Sequence, residues 1–299
     1  MADLKSLCAV ITAGGIGTRL LPFSKEIPKE MSPIIVSNGE SGSILVKPII
    51  QAIFEQLYDS GIRNFFTVVG RGKRAIEDHF SPDQGFVALL KSKGKRVDEL
   101  ESFYMKLRSC SLVFVMQPEP LGFGDAVLKV RPYVKGDFLV HAGDTYIISS
   151  TSPGESHYLE RLWTAHVQHR SEVTVLLQEV KDPQNYGVVI GEQLLGGMVK
   201  ITKAVEKPDS FVSNTAIMPV YIFSESIFDE LQMIVPGKNG EMQLTDAIQR
   251  IISRGGNVVG VRLGEGDVRL DIGSPQTLMS ALLLSSERMM MTAAGRKEA

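Results

Sequence analysis

The chain has 299 residues, 43% of them hydrophobic, which suits one large α/β domain or a large domain with a smaller one attached. Lysine and arginine number 32 against 34 acidic residues, so the net charge of -2 excludes the basic field that nonspecific nucleic-acid binding uses. The two cysteines form no CxxC pair, and neither a signal-peptide pattern nor an apolar run of membrane-spanning length is present. We therefore expect a cytoplasmic protein with no nucleic-acid or membrane partner.

Strand-length apolar runs alternate with helix-like segments in the first half of the chain. Predicted strands cover residues 7–11, 65–69, 112–116 and 138–142, and the spacing of apolar residues over 49–57 predicts a helix that ends near Gly61. This alternation predicts parallel βαβ units in an open, doubly wound sheet. Such sheets bind ligands beyond the carboxyl ends of their strands, so the site is expected there.

The second half has a different pattern. Short strands are predicted at 173–177, 187–190, 199–205, 217–223 and 258–263, with turn-rich segments that indicate an antiparallel or mixed addition and a second lobe. Pro275 begins a predicted C-terminal helix that runs into the polar tail GRKEA. Residues 37–43 are predicted to be an inserted surface loop and 92–109 a solvated helix, whereas His141 and Trp163 are assigned to the core.

The stretch AVITAGGIGTRLLPFSKEIPKEM, residues 9–31, places three glycines after the first predicted strand. A dinucleotide fingerprint that starts at Gly15 needs a glycine where Leu20 stands, and a P-loop needs Ser or Thr where Arg74 follows Gly72 and Lys73. A tight turn that needs glycine dihedrals is the simpler alternative. The cations that follow, at positions 19, 25 and 29, favour a site where backbone N–H groups hold a polyphosphate.

GGIGTRLLPFSKEIPKEM is similar to the signature of the sugar-1-phosphate nucleotidyltransferases, and its IPKEM ending resembles the UTP:glucose-1-phosphate uridylyltransferase branch. The resemblance covers nearly the whole chain, because MQPEPLGFGDAV, LVHAGDT, NYGVV, VEKPDSFVSNTAIMPVY, GKNGEMQLTDAI and RLDIGSP follow in the family's order. HAGD and QPEP are more similar to the thymidylyltransferase branch. Both UTP and dTTP therefore stay open as substrates.

The resemblance implies an α/β fold with a Rossmann-like doubly wound mixed sheet, a smaller sugar-binding lobe and a C-terminal helix. Its implied division is a nucleotide-binding core at 1–180, a sugar-phosphate-binding lobe at 181–274 and a helix and tail at 275–299. The implied reaction transfers a uridylyl group from UTP to glucose 1-phosphate, with Mg²⁺ as cofactor and pyrophosphate as leaving group. Alternatives are a thymidylyltransferase, an enzyme that uses both nucleotides, and a noncatalytic regulatory subunit that binds nucleotide sugar. A homo-oligomer, either dimer or tetramer, is also implied.

This reaction needs no general base, because its nucleophile is a phosphate oxygen that is already ionised at neutral pH. Positioning and positive charge are what it requires. By resemblance, the catalytic residues are Arg19, Lys29 and Lys207; the nucleotide-binding residues are Gly14, Gly15, Gly17, Thr18, Lys25, Gln117 and Gly122; the sugar-phosphate-binding residues are Gly187, Glu206, Lys207, Asn214 and Glu241; and the Mg²⁺ ligands are Asp144 and Asp271.

Each of these motifs also has a simpler interpretation. An aspartate after a strand, such as Asp144, is often only a turn former, and Glu206 with Lys207 is consistent with an exposed ion pair at a strand end. For Thr245, the simpler interpretation is a cap of the helix that follows it.

Overall fold

The computed structural model describes residues 4–37, 43–149, 157–237 and 240–295. Its strands are β1 (Cys8–Ala13), β2 (Pro33–Ser37), β3 (Ile44–Pro48), β4 (Asn64–Gly70), β5 (Ser111–Gln117), β6 (Phe138–Ala142), β7 (Thr145–Ile148), β8 (Val173–Glu179), β9 (Gly187–Gln193), β10 (Met198–Glu206), β11 (Thr215–Phe223), β12 (Val258–Arg262) and β13 (Val268–Asp271). Its helices are α1 (Ile49–Asp59), α2 (Arg74–His79), α3 (Gln84–Ser92), α4 (Asp98–Arg108), α5 (Phe123–Leu128), α6 (His157–His169), α7 (Ile227–Met233), α8 (Leu244–Ser253) and α9 (Pro275–Gly295).

A nine-stranded mixed sheet in the order β5-β4-β1-β6-β11-β8-β12-β10-β9 organises the described part of the chain. Strands β5, β4, β1 and β6 are parallel, whereas β11 pairs antiparallel with both β6 and β8. Two small antiparallel pairs, β2 with β3 and β7 with β13, lie outside this sheet. The predicted mixed sheet is confirmed. The proposed boundary at residue 180 stays a prediction. Strands from both sides of it belong to the same nine-stranded sheet.

Helices cover both faces of the sheet, which explains why its strands read as continuous apolar runs. In β1, Ala9 and Ile11 belong to one buried cluster and Val10 to the other, as the alternation of side chains along a strand requires. Helices α1, α4, α6 and α9 contribute to the first cluster, and α5, α7 and α8 to the second. None of the helices in the described ranges is long and apolar enough to cross a membrane.

Most predicted elements are confirmed, with ends displaced by a few residues at most, and α9 begins at the expected Pro275. The prediction of one solvated helix over 92–109 is wrong. Helix α3 ends at Ser92, and α4 begins only at Asp98 and buries one side against the core, through Phe103, Tyr104 and Leu107. The loop predicted at 37–43 lies outside the described residues, apart from Ser37, which ends β2, and Ser43.

His141 and Trp163 are buried, as predicted. The Nδ1 atom of His141 lies 2.8 Å from the carbonyl oxygen of Ala142, and Nε2 lies 3.3 Å from the hydroxyl of Tyr158. Burial lowers the pKa of His141 to about 4, so the imidazole is neutral at pH 7. This histidine therefore packs and hydrogen-bonds beneath the site.

Candidate active site

A cleft of about 690 Å³ opens beyond the carboxyl ends of β1, β5 and β6. This is the position that the open-sheet rule predicts. Its wall includes the end of β10, the start of β9 and the segment before α8, so residues far apart in sequence converge on one space. The predicted site residues that line it are Gly14, Gly15, Gly17, Thr18, Arg19, Lys29, Gln117, Gly122, Asp144, Gly187, Glu206, Lys207, Glu241 and Asp271.

The glycine loop follows β1 directly and turns back on itself. Gly17 has a φ of 73°, a left-handed conformation that suits glycine, and its carbonyl accepts a hydrogen bond from the Ser24 hydroxyl at 2.7 Å. Gly14 has no room for a side chain, because a Cβ there would overlap Oε1 of Gln117. The loop thus presents bare backbone to the cleft.

Lys29 begins a short 3₁₀ turn, Lys29–Met31, and its Nζ lies 2.5 Å from Oδ2 of Asp144. Burial disfavours the charge on Lys29, but the carboxylates of Asp144 and Glu30 outweigh it and raise the pKa of Lys29 above its ordinary value. Burial likewise favours neutral Asp144, yet the contact with Lys29 holds the pKa of this carboxyl below its ordinary value. Both groups are therefore charged at pH 7.

Glu30 and Lys73 form a buried ion pair behind this turn, and the sequence did not reveal it. Their side chains are 1% and 7% exposed, and Nζ of Lys73 lies 2.7 Å from Oε2 of Glu30. Burial raises the pKa of Glu30, and the nearby ammonium of Lys73 offsets this only in part. The pair ties the turn that carries Lys29 to the start of α2.

The two predicted metal ligands lie at neighbouring strand ends. Strand β13 pairs with β7 so that Asp271 faces Thr145, and the backbone N–H of Ile272 donates to the Asp144 carbonyl at 3.2 Å. Two carboxylates beside an open cleft suit Mg²⁺, which completes its shell with waters and substrate phosphates. No cluster of three or more His, Cys, Asp or Glu side chains able to hold a metal occurs in the described ranges.

Arg269 links the metal side of the cleft to the turn NYG and was not predicted. It donates to Oδ2 of Asp271 at 3.2 Å, to Oε1 of Gln178 at 3.1 Å and to the hydroxyl of Tyr186 at 3.2 Å. The Tyr186 carbonyl in turn accepts a hydrogen bond from the Lys207 backbone at 3.0 Å. Arg269 therefore connects Asp271 to the backbone that carries Lys207.

Glu206 and Lys207 face the cleft from the end of β10. Lys207 has a φ of 40°, which is uncommon for a residue other than glycine, and its Nζ lies 3.3 Å from Oε1 of Glu206. The other carboxylate oxygen of Glu206 accepts a hydrogen bond from the Thr245 hydroxyl at 2.7 Å. A capping role for Thr245 is therefore wrong, since the N-cap of α8 is Gln243.

Small residues allow the segments around the cleft to approach closely. A Cβ at Gly187 would lie 2.5 Å from Oγ1 of Thr245 and 2.9 Å from Oε2 of Glu206. A Cβ at Gly122 would lie 2.8 Å from both backbone N and O of Met242. These glycines let the predicted base and sugar segments pack against the start of α8.

Two predicted site residues do not line the cleft. The Lys25 side chain is 76% exposed and lies 3.4 Å from the carboxylate of Glu26. Asn214 is exposed, and its carbonyl accepts a hydrogen bond from the backbone N–H of Val180 at 2.9 Å. Their roles in binding stay predictions.

The model of the nucleotidyl transferase family matches residues 8–287. The chain belongs to this family. A UTP–glucose-1-phosphate uridylyltransferase of Staphylococcus saprophyticus is 36% identical over 270 residues, which cover 89% of this chain and 86% of that relative. One from Bacillus subtilis is 35% identical over 270 residues, covering 89% and 84%.

Solved structures of the family show the same fold. A UDP-glucose pyrophosphorylase in complex with UDP-glucose has a TM-score of 0.80 at 29% identity, with 94% of this chain and 99% of that chain covered. A UTP-bound enzyme from Acinetobacter baumannii has a TM-score of 0.76 at 26% identity, covering 93% and 92%. These likenesses confirm the expected Rossmann-like nucleotidyltransferase fold.

Proposed function

We propose that this nucleotidyl transferase transfers the uridylyl group of UTP to glucose 1-phosphate and releases pyrophosphate. The observation that carries the proposal is the composition of one cleft, which combines bare glycine backbone, the cations Arg19 and Lys29, the carboxylates Asp144 and Asp271, and the Glu206–Lys207 pair. The uridylyltransferase relatives, matched over most of their length, and the UDP-glucose and UTP complexes of the structural neighbours support it.

The chemical task is to bring two anions together and to stabilise the charge that develops on the α-phosphate and pyrophosphate. In the proposal, the glycine loop and Arg19 hold the triphosphate, while Lys29 lies close enough to Gly15 to reach the same phosphates. Positive groups fixed in a cleft before the reaction stabilise such charge without further reorganisation.

Lys207 is proposed to align the phosphate of glucose 1-phosphate for attack on the α-phosphate of UTP. Glu206, held by Thr245 and by Lys207, is proposed to accept hydrogen bonds from glucose hydroxyls. Asp144 and Asp271 would hold Mg²⁺, which supplies further positive charge to the triphosphate when bound. The proposal also includes a cytoplasmic homo-oligomer, supported by resemblance to the family.

Pyrophosphate release tests the proposal. The purified protein is incubated with Mg²⁺ and glucose 1-phosphate together with UTP, dTTP, CTP, ATP or GTP, and galactose 1-phosphate replaces the sugar phosphate in a second series. We expect turnover with UTP that depends on glucose 1-phosphate. Comparable turnover with dTTP would indicate a base pocket that accepts both nucleotides, since one buried methyl is worth only about 1 to 3 kcal/mol. Binding of UDP-glucose without turnover of any triphosphate would instead favour a regulatory subunit.

A further inference from the structure

The side-chain amide of Gln117 is held in one orientation at the carboxyl end of β5. Gln117 is 3% exposed, and its Nε2 donates to the Gly122 carbonyl at 3.1 Å and to Oδ2 of Asp125 at 2.8 Å. An amide nitrogen has two hydrogens, so these two bonds use its full donor capacity.

Both partners of Nε2 can only accept hydrogen bonds in this arrangement. A backbone carbonyl has no hydrogen to donate, and neither does an ionised carboxylate. Asp125 is itself 3% exposed, and its second oxygen, Oδ1, lies 2.9 Å from Nζ of Lys129. Rotating the Gln117 amide by half a turn would place Oε1 against two acceptors, so the opposite orientation is strongly disfavoured.

The amide oxygen consequently faces the other way, towards the glycine loop. A Cβ placed on Gly14 would lie only 1.9 Å from Oε1, so this oxygen packs against the Gly14 backbone. Both Gly14 and Gln117 line the cleft. Within the described part of the chain, no protein group donates a hydrogen bond to this oxygen. The cleft therefore presents a fixed acceptor beside the loop that follows β1.

We propose that Asp125 is a specificity-determining positioning residue that makes the cleft select a pyrimidine with a hydrogen on N3. It acts through Gln117, whose Oε1 accepts from that N–H. The inference rests on the proposed function, because it places the nucleotide base beside Gln117. Uracil and thymine carry a donor at N3, whereas cytosine has an acceptor there. Bound cytosine would thus place its N3 acceptor against the acceptor Oε1 of Gln117. The fixed amide does not distinguish uracil from thymine, because both carry a hydrogen on N3.

The test compares Asp125→Asn with the wild-type protein. An asparagine at this position can turn its own N–H₂ towards Gln117, which permits the flipped amide to offer a donor to N3 of cytosine. The Gly122 carbonyl still favours the original orientation, so we expect a partial effect. The preference for UTP over CTP should fall by about tenfold, because an unpaired polar group in a binding site is the usual basis of such discrimination.

Two readouts separate this inference from the proposed function. Dissociation constants of UTP and CTP, measured by calorimetry, report the base preference whether or not turnover occurs, and kcat/KM with glucose 1-phosphate reports the reaction. Wild-type protein that prefers UTP in binding but releases no pyrophosphate would overturn the function alone. An unchanged UTP to CTP ratio in Asp125→Asn would overturn the role of Asp125.

Lys129→Met is the matched control, because it removes the ion pair at Oδ1 but leaves the hydrogen bond from Gln117 to Oδ2. We expect Lys129→Met to keep the wild-type preference for UTP over CTP. An equal loss of this preference in Lys129→Met and Asp125→Asn would show that local disorder lowers selectivity, and it would overturn the proposal. Thermal unfolding checks that each variant folds. If Asp125→Asn does not fold, Asp125→Ala serves instead, since it removes one of the two acceptors that hold the Gln117 amide.

Discussion

The buried pair of Glu30 and Lys73 predicts a large cost when its cation is removed. Lys73→Met replaces the ammonium with an apolar group of similar length and leaves the carboxylate of Glu30, 1% exposed, without its partner at 2.7 Å. A buried charge that loses its hydrogen-bonded partner costs about 3 to 5 kcal/mol of unfolding free energy, and the charge of Lys29 offsets only part of this.

The chain offers a control of the same geometry at its surface. Nζ of Lys91 also lies 2.7 Å from a carboxylate, that of Glu101, but these side chains are 53% and 40% exposed. Solvent screening limits such a pair to about 0 to 1 kcal/mol, so Lys91→Met should hardly change stability. Burial alone separates the two cases.

Urea unfolding at pH 8 measures both variants and the double variant Glu30→Gln with Lys73→Met. We expect the added Glu30→Gln substitution to restore part of the stability that Lys73→Met loses, because it removes the unpaired charge. The deficit of Lys73→Met should also shrink as the pH falls towards 5: burial raises the pKa of Glu30, and its protonated form needs no cation. A loss for Lys73→Met within 1 kcal/mol of the Lys91→Met value would refute this reasoning.

Three further predictions concern the cleft and the core beneath it. Gly14→Ala should raise KM for UTP at least about tenfold, since the new Cβ displaces Oε1 of Gln117; an unchanged KM in steady-state assays would show that this oxygen does not contact the nucleotide. Thr245→Val should raise KM for glucose 1-phosphate more than it lowers kcat, while Thr245→Ser should retain the wild-type value, because only the hydroxyl holds Glu206; equal effects of both variants would contradict this. Between pH 7 and pH 5 the wild-type protein should lose about 2 kcal/mol of unfolding free energy through His141, because the unfolded histidine protonates near 6.5 and the folded one only near 4. His141→Gln should not show this loss, and an equal pH dependence of wild type and variant in urea unfolding would disprove the prediction.

The placement of much of the cleft could be predicted because it depends on local sequence and on one rule of sheet architecture. The glycine loop follows β1, Gln117 ends β5, and Asp144 comes two residues after β6, so all three lie at the carboxyl edge of parallel strands. Motif order along the chain added the residues of the second half, including Glu206.

The remaining features depend on pairs that no local pattern reveals. Glu30 and Lys73 are 43 residues apart in the sequence. The residues next to Lys73 do not distinguish it from a surface lysine, because its burial depends on how α2 packs against the turn at Lys29–Met31. In the sequence, Asp125 resembles any acidic residue in the first turn of a helix. Only its hydrogen bond from Gln117, which depends on the fold, sets it apart. The sequence predicts a solvated helix at α4 because charged residues dominate its composition, whereas three of its residues, Phe103, Tyr104 and Leu107, share one buried face.

The central claim is that this cleft converts UTP and glucose 1-phosphate into UDP-glucose, and the rate of pyrophosphate release in wild type and Asp144→Asn tests it most directly. Asp229→Asn is the control, since that aspartate is paired with Arg131 at 2.8 Å and lies outside the cleft. We predict UTP turnover in wild type and Asp229→Asn, and a loss of at least about 100-fold in folded Asp144→Asn. Equal rates in all three proteins, or wild-type protein that releases no pyrophosphate from UTP, would contradict the claim.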